Sequence, residues 1–430
     1  ADWQPGQTCV AAIVCRRERG SAVDFFVASL ACGTKFVDCK QVGQVAEGAV
    51  YDMHAEALAR RGFKRFLHLD LARCAGGGVG EALERDPGTP GRCRVRPGAT
   101  FHVYSSSVPC GNASIKRWAK GGQGPEARLG AGLGAEDFPP PGHCRLQVHA
   151  RGEGQVCFLA KCASRAGGAA LGKWPAGTRP FDGCWPCEQR ARAAPLTCSD
   201  KLAIWNALGL QGRRLLDVLP PIYAETCTIG RKFSAPHAAR ALCCRLQDFV
   251  SGKVPALSAP FGLRHVAVLG CAEKLDQGVY EGEEAGADFS DPRCLVWAFG
   301  DEAPESLNGH TGLTMDGATS RIAGVALHEA ELAWRHALGA REHGDGDALG
   351  AAHSRAKGLL REFISRYCVL KAREPCWSAA TASFQSTAPP TAALLAPCGL
   401  GAMCEPGPHA PCDELRTPLA AYALARVDSA

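Results

Sequence analysis

Short apolar runs separated by polar linkers open the chain. Cys9-Val10-Ala11-Ala12-Ile13-Val14 and Asp24-Phe25-Phe26-Val27-Ala28-Ser29-Leu30 flank the polar segment 16–21, a pattern that predicts a hairpin of buried strands. From about Met53 to Leu69 the period lengthens. Ala59, Phe63, Phe66 and Leu67 fall at i, i+4, i+7 and i+8, one apolar face of a helix, and Asp52 stands where a cap belongs. Residues 72–99 are rich in Gly, Pro and Arg and read as loop. Phe101-His102-Val103-Tyr104 is the next strand, ending at Ser105-Ser106-Ser107-Val108-Pro109-Cys110.

Periodicity lapses between about 119 and 195, where Gly, Pro and Ala cluster among scattered Arg and Lys, as in long surface insertions. It resumes at Thr197. Lys201 to Leu216 has helical spacing, Ile222 to Ile229 reads as a strand, and His237 to Phe249 as a helix. Ser320 to Leu338 and Leu349 to Tyr367 are amphipathic, with Ala352, Ala356, Leu359, Leu360 and Phe363 along one face of the second. Beyond about Cys376 the text is Ala, Pro, Ser and Thr with little period, a low-complexity, disordered tail. Strands mixed with helices predict an α/β fold.

Composition narrows the class. A hydrophobic share of 46% over 430 residues can fill a sizeable core. Gly 50 and Pro 28 together stay below the roughly 25–30% of a low-complexity chain. The net charge of +5 is a mild basic excess, not that of a polybasic protein. Lys116, Arg117, Lys120, Arg128, Lys173, Arg179, Arg190 and Arg192 concentrate some of it on the insertion, a candidate RNA-facing surface. The 23 cysteines are an odd set without the spacing of a secreted module, and read as reduced thiols. No run of about 18 apolar residues is present, and Ala1-Asp2-Trp3-Gln4-Pro5 has neither the basic start nor the apolar stretch of a signal peptide. These features predict an intracellular soluble protein of the cytoplasm or nucleus.

His54-Ala55-Glu56, followed by Pro109-Cys110, brings in chemistry. A zinc-dependent nucleobase deaminase needs a neutral imidazole and two thiolates on the metal, an open position for water, and a carboxylate that moves protons without binding the ion; its text is H-x-E…P-C-x-x-C. Two thiolates nearly cancel Zn²⁺, yet the ion still activates water near neutral pH. Glu56 has the place of the proton carrier. Gly111, Asn112 and Ala113 follow Cys110, so the second thiolate must come from elsewhere. Cys198, just before an ordered helix, and the pair Cys184/Cys187 both qualify on the residues alone. Cys243-Cys244 reads as core packing on a helix.

The segments His54-Ala55-Glu56-Ala57-Leu58-Ala59-Arg60-Arg61-Gly62-Phe63, Pro109-Cys110-Gly111-Asn112-Ala113-Ser114 and Cys198-Ser199-Asp200-Lys201-Leu202-Ala203-Ile204-Trp205-Asn206 resemble the three deaminase motifs of the tRNA-specific adenosine deaminases of the editase type, close relatives of the adenosine deaminases acting on RNA. Pro221-Ile222-Tyr223, Ile229-Gly230 and Ser320-Arg321-Ile322 extend the resemblance over about residues 8–372. It implies a three-layer cytidine-deaminase-like fold, a mixed central sheet flanked by helices with a C-terminal helical extension. The deaminase domain would span 1–375, with insertions at about 72–99 and 119–195, and the tail 376–430. The resemblance implies one zinc per chain on His54, Cys110 and Cys198, with Glu56 as proton shuttle and Thr34 and Lys35 on the target nucleotide and its phosphate. It also implies a buried inositol hexakisphosphate held by Arg60, Arg61, Lys201 and Trp205, with Lys357 a weaker match. Tyr51 and Ile204 depart from that pattern, standing where the family has Asn and a basic residue.

The implied activity is hydrolysis of adenosine to inosine in tRNA, at position 37 beside the anticodon of an alanine tRNA. The resemblance begins within the first dozen residues, which weights tRNA over long-duplex editing; no DNA or membrane partner is expected, and no protein partner is identifiable. Editing of messenger or other structured RNA, a non-catalytic RNA-binding role and a thiol redox role are the alternatives.

Overall fold

A computed structural model describes residues 9–36, 48–110, 113, 196–233, 235–243, 246, 257, 259–264, 266–271, 293–340 and 348–366. The insertion 119–195, with Cys184, Cys187 and its basic residues, lies outside them, as does the tail 376–430. In chain order the elements are β1 (Val10–Arg19), β2 (Ala22–Cys32), β3 (Thr34–Phe36), β4 (Asp52–His54), α1 (Ala55–Ala75), β5 (Leu83–Arg85), β6 (Cys93–Val95), β7 (Thr100–Ser107), α2 (Cys198–Leu208), β8 (Ala224–Arg231), α3 (Ala235–Leu242), β9 (Ala267–Gly270), β10 (Arg293–Ala298), β11 (Glu305–Asn308), α4 (Gly324–Leu338) and α5 (Ala348–Arg366).

Seven strands form one mixed sheet in the order β11-β10-β2-β1-β7-β8-β9. The β1–β2 hairpin pairs from Val10↔Cys32 to Arg19↔Ala22. It outruns its apolar stretch because Arg17 bonds Asp24 at 2.7 Å across the two strands. β7 is antiparallel to β1, whereas β8 and β9 run parallel to β7. Parallel neighbours need long crossovers, here spanned in part by α2 and α3.

α1 lies on this sheet through the face the spacing predicts. Phe63, Phe66, Leu67 and Leu71 are buried with Ile13, Phe26, Phe101 and Val103, each worth about 1.5–3 kcal/mol when fully buried. The Phe63 and Phe101 rings meet edge to face at 4.9 Å. Gly62 permits the close approach, since a Cβ there would stand 3.2 Å from Ser29 Cβ and Val296 Cγ2. Ala12, Val14, Val27 and Tyr104 cluster on the opposite face, so both faces of the sheet are buried. The architecture is therefore α/β, a mixed central sheet flanked by helices, as expected.

Several elements differ from expectation. The segment 72–99 is not a plain loop. α1 continues to Ala75, and β5 pairs with β6 in a small hairpin. Asp70, fully buried, accepts from the amides of Glu81, Ala82 and Leu83 at 2.7, 2.9 and 2.9 Å and pins that hairpin to α1. Asp52 is no cap: it belongs to β4, and His54 is the residue that precedes α1. α2 starts at Cys198 because Thr197 and Asp200 form a reciprocal capping box. It ends at Leu208 because Gly209 turns to φ +88, and a single 3-10 turn follows at Arg213–Leu215. α3 is shorter than the expected helix at 237–249. α4 begins only at Gly324, since Glu305 holds the Ser320 hydroxyl at 2.6 Å and the Arg321 amide at 3.1 Å. α5 buries Ala356 and Leu360 as its face predicts, and Ile364 as well; the Phe363 side chain is outside the described residues. Among the described residues no helix is long and apolar enough to cross a membrane.

A candidate metal centre between two helix starts

Two helices and one strand end converge on a single point. His54 closes β4 and opens α1. Its strand is held in place by β3, in the register Thr34↔His54 and Lys35↔Met53. Gly33 admits that pairing, for a Cβ there would overlap the Met53 carbonyl oxygen at 2.1 Å. The Thr34 and Lys35 side chains lie outside the described residues. Cys110 follows β7, and Cys198 is the first residue of α2. The two cysteine segments dock backbone to backbone, with the Ser199 amide donating to the Cys110 carbonyl at 3.0 Å. The Cys198 amide, one of the unpaired donors at the helix start, points at Cys110 Sγ from 3.3 Å.

The ligand atoms of His54, Cys110 and Cys198 all lie within 4.8 Å of one another. A tetrahedral ion with about 2.3 Å bonds to sulfur and 2.0–2.1 Å to nitrogen sets its donors roughly 3.5–3.8 Å apart. The three donors are thus close enough to share one ion and leave its fourth position open. His54 Nδ1 is engaged by Asp52 Oδ1 at 3.0 Å, which assigns Nε2 to the ligand side. Asp52 also takes the Lys201 ammonium at 2.5 Å. Burial pushes the Asp52 carboxyl up, but the Lys201 charge and the His54 hydrogen bond hold it well below the usual range. The thiols polarise each other: the Cys198 hydrogen bond, more than any other influence, holds Cys110 well below its ordinary value, while burial pushes Cys198 up.

Glu56, buried on the first turn of α1, completes the group. Burial and then the Cys110 charge raise its carboxyl above the usual range. Ser105 Oγ stands 3.3 Å from Glu56 Oε1.

A second group of side chains lies one to two turns along α1. The Arg60 guanidinium stacks over the Trp205 ring at 4.8 Å, and its Nε donates to the Leu210 carbonyl at 2.9 Å. Arg61 donates to the Ile322 carbonyl at 2.9 Å. Burial and the charges of Arg60, Arg61 and Arg214 depress Lys64 to about 7. Burial and Arg61 depress Arg60 to about 9. Burial and then the charges of Arg60 and Arg361 depress Lys357. Lys201, expected in this group, is joined to Asp52. Ile204 is buried with Ala207, Leu208 and Leu246, and Tyr51 is 41% exposed, so neither adds charge here. Sequence reading missed Lys64 and Arg214. The i+4 spacing of Lys64 from Arg60 was the available signal.

Comparison with known proteins follows the same residues. A family profile for the adenosine-deaminase (editase) domain matches residues 29–342. The double-stranded RNA-specific adenosine deaminase of Mus musculus is 26% identical over 360 residues, covering 83% of this chain and 28% of that protein. The tRNA-specific adenosine deaminase 1 of Drosophila melanogaster is 30% identical over 198 residues, 45% of this chain and 42% of that one. The Mus musculus tRNA-specific adenosine deaminase 1 is 25% identical over 352 residues, 63% of each. The chain therefore spans little more than a quarter of the first of these relatives.

Proposed function

The chain belongs to the adenosine-deaminase (editase) family, and on that footing we propose that it hydrolyses adenosine to inosine in RNA at a zinc site on His54, Cys110 and Cys198. The observation that carries the reading is the convergence of those three ligand atoms beside the buried Glu56 carboxyl. Zinc, when bound, supplies a Lewis acid that makes water nucleophilic near neutral pH. Asp52 fixes the His54 ring through Nδ1, so that Nε2 faces the ion. The Cys198 hydrogen bond, then His54 and the charge of Lys201, favour the thiolate form of Cys110, and the amide at the start of α2 points at its sulfur. Glu56 takes one proton from the attacking water and gives it to the ring nitrogen, then takes the second from the hydroxyl formed at C6 and gives it to the amino group, which departs as ammonia. The base enters extruded from its stack, with Thr34 and Lys35 on its nucleotide and phosphate.

The substrate is tRNA, at the adenosine in position 37 beside the anticodon of an alanine tRNA. The motif resemblance supports this, together with the similarity to tRNA-specific adenosine deaminase 1 of two animals. The second reading is editing of longer RNA duplexes, favoured by the alignment that covers 83% of this chain. Inosine sequencing after incubation of the full chain with a tRNA pool and with long duplex RNA separates them. Conversion confined to tRNA is expected; conversion confined to the duplex overturns the tRNA reading.

The cationic group on α1 holds inositol hexakisphosphate. Arg60, Arg61 and Lys64 crowd their charges in a partly buried place, and such a set calls for a multivalent anion. Arg60, Arg61 and Trp205 hold it there, and Lys201 links it to Asp52 at the zinc site. Acid extraction of purified protein should release about one inositol hexakisphosphate per chain; release of none contradicts this part of the proposal.

A further inference from the structure

Along β7 the residues that face α1 alternate as Phe101, Val103 and Ser105. The first two are buried in the apolar core shared with α1. Ser105 holds the next place on that face and is wholly buried, so a hydroxyl stands where the alternation calls for an apolar side chain. Its cross-strand neighbours, Ala11 on β1 and Ile229 on β8, are also buried and apolar. A buried hydroxyl costs free energy unless it is hydrogen-bonded. Here it has two oxygen partners, Glu56 Oε1 at 3.3 Å and the Ser107 carbonyl at 2.7 Å.

We propose that Ser105 is a positioning residue for Glu56, its hydroxyl fixing the carboxyl above the sheet throughout the deamination. The inference rests on the deaminase reading given above. A hydroxyl carries one proton and two lone pairs, and its hydrogen rotates freely. When Glu56 Oε1 is bare, Ser105 can donate to it. When that carboxyl carries the proton taken from water, Ser105 can turn its own hydrogen to the Ser107 carbonyl and accept from Glu56 through a lone pair. Ser105 gives up no proton in either state. The shuttled proton travels from water to Glu56 and on to the substrate, and the contact with Ser105 persists. The Glu56 side chain turns about three torsions, and the contact with Ser105 restrains its carboxyl from the sheet, beside the Cys198 hydrogen bond and the Cys227 thiol, which burial and Glu56 push up to about 12. A proton carrier displaced by an ångström loses much of its rate.

The test compares isosteres. Ser105→Thr keeps the hydroxyl, Ser105→Val has nearly the same shape without it, and Ser105→Ala removes it without added bulk. Each full-length variant is assayed on RNA for kcat and KM and is analysed for bound zinc and for thermal unfolding. Expected are a kcat within about threefold of wild type for Ser105→Thr, and a loss of about tenfold or more for Val and Ala, with KM within about twofold and zinc unchanged. Equal kcat in the Thr and Val variants overturns the inference, whether both are fast or both are slow, because the hydroxyl then has no part. Loss of zinc in Val and Ala also overturns it, since Ser105 would then act through the metal site. Wild-type protein inactive on every RNA sinks the deaminase reading itself and this inference with it, an outcome distinct from active wild type with an indifferent Ser105.

Discussion

His68 is buried on α1, where its Nδ1 accepts a hydrogen bond from Trp334 Nε1 at 3.2 Å. Burial and then the Lys64 charge push its pKa down to about 3. The unfolded chain, with an ordinary imidazole near 6.5, therefore binds a proton that the folded chain refuses. The stability tied to neutral His68 is complete above about pH 6.5 and is lost as pH falls from there toward 3. His68→Gln keeps an acceptor for Trp334 without the titration. Urea unfolding followed between pH 6.5 and 4.5 should show a shallower loss of stability in the variant, by up to about 1.4 kcal/mol per pH unit; an unchanged slope contradicts the assignment. Legibility at this scale followed chemistry. His54, Glu56 and Cys110 stood out because a metal and a proton carrier demand those residue types at short spacing. The residues alone could not choose Cys198 over Cys184 and Cys187, since a contact made across 88 positions leaves no local mark. Ser105 passed for the polar end of a strand because its partner belongs to another element.

Between elements, one carboxylate organises what the sequence presents as loop. Asp70 satisfies three successive amides of the segment that leads into β5. Asp70→Ala would leave those donors buried without their charged acceptor, and bonds to a charged group are worth roughly 1.5–3 kcal/mol each. Denaturant unfolding should show a loss of about 3 kcal/mol or more, with Asp70→Asn in between because its amide keeps one acceptor oxygen. A loss under about 1 kcal/mol would mean that β5 and β6 dock without it. The hairpin escaped sequence reading because each strand has three residues, too few to show alternation. β10 escaped for the opposite reason: Cys294, Val296 and Ala298 face the core, but Leu295 and Trp297 on the other side are apolar too. α1 was legible because it buries one face with a clean period, and β1, β2 and β7 because both faces of their sheet are buried and each reads as a short apolar run.

The whole molecule joins distant segments at two places. Residues 54–56, 110 and 198 make the proposed zinc site, and α1, the 3-10 turn at 213–215 and α5 bring the cationic group together. The mixed sheet sets both, because α1 crosses it with its first turn at the thiols and its next turns at the arginines. The deaminase reading therefore stands or falls on whether Glu56 is chemical and the three ligands are structural. The most direct measurement pairs wild-type protein with Glu56→Ala, recording inosine formed in tRNA and zinc bound per chain. The account predicts inosine with wild type, a loss of at least about a hundredfold in the variant, and about one zinc per chain in both. Equal activity in the two proteins, or wild type that binds zinc and forms no inosine in any RNA, would contradict it.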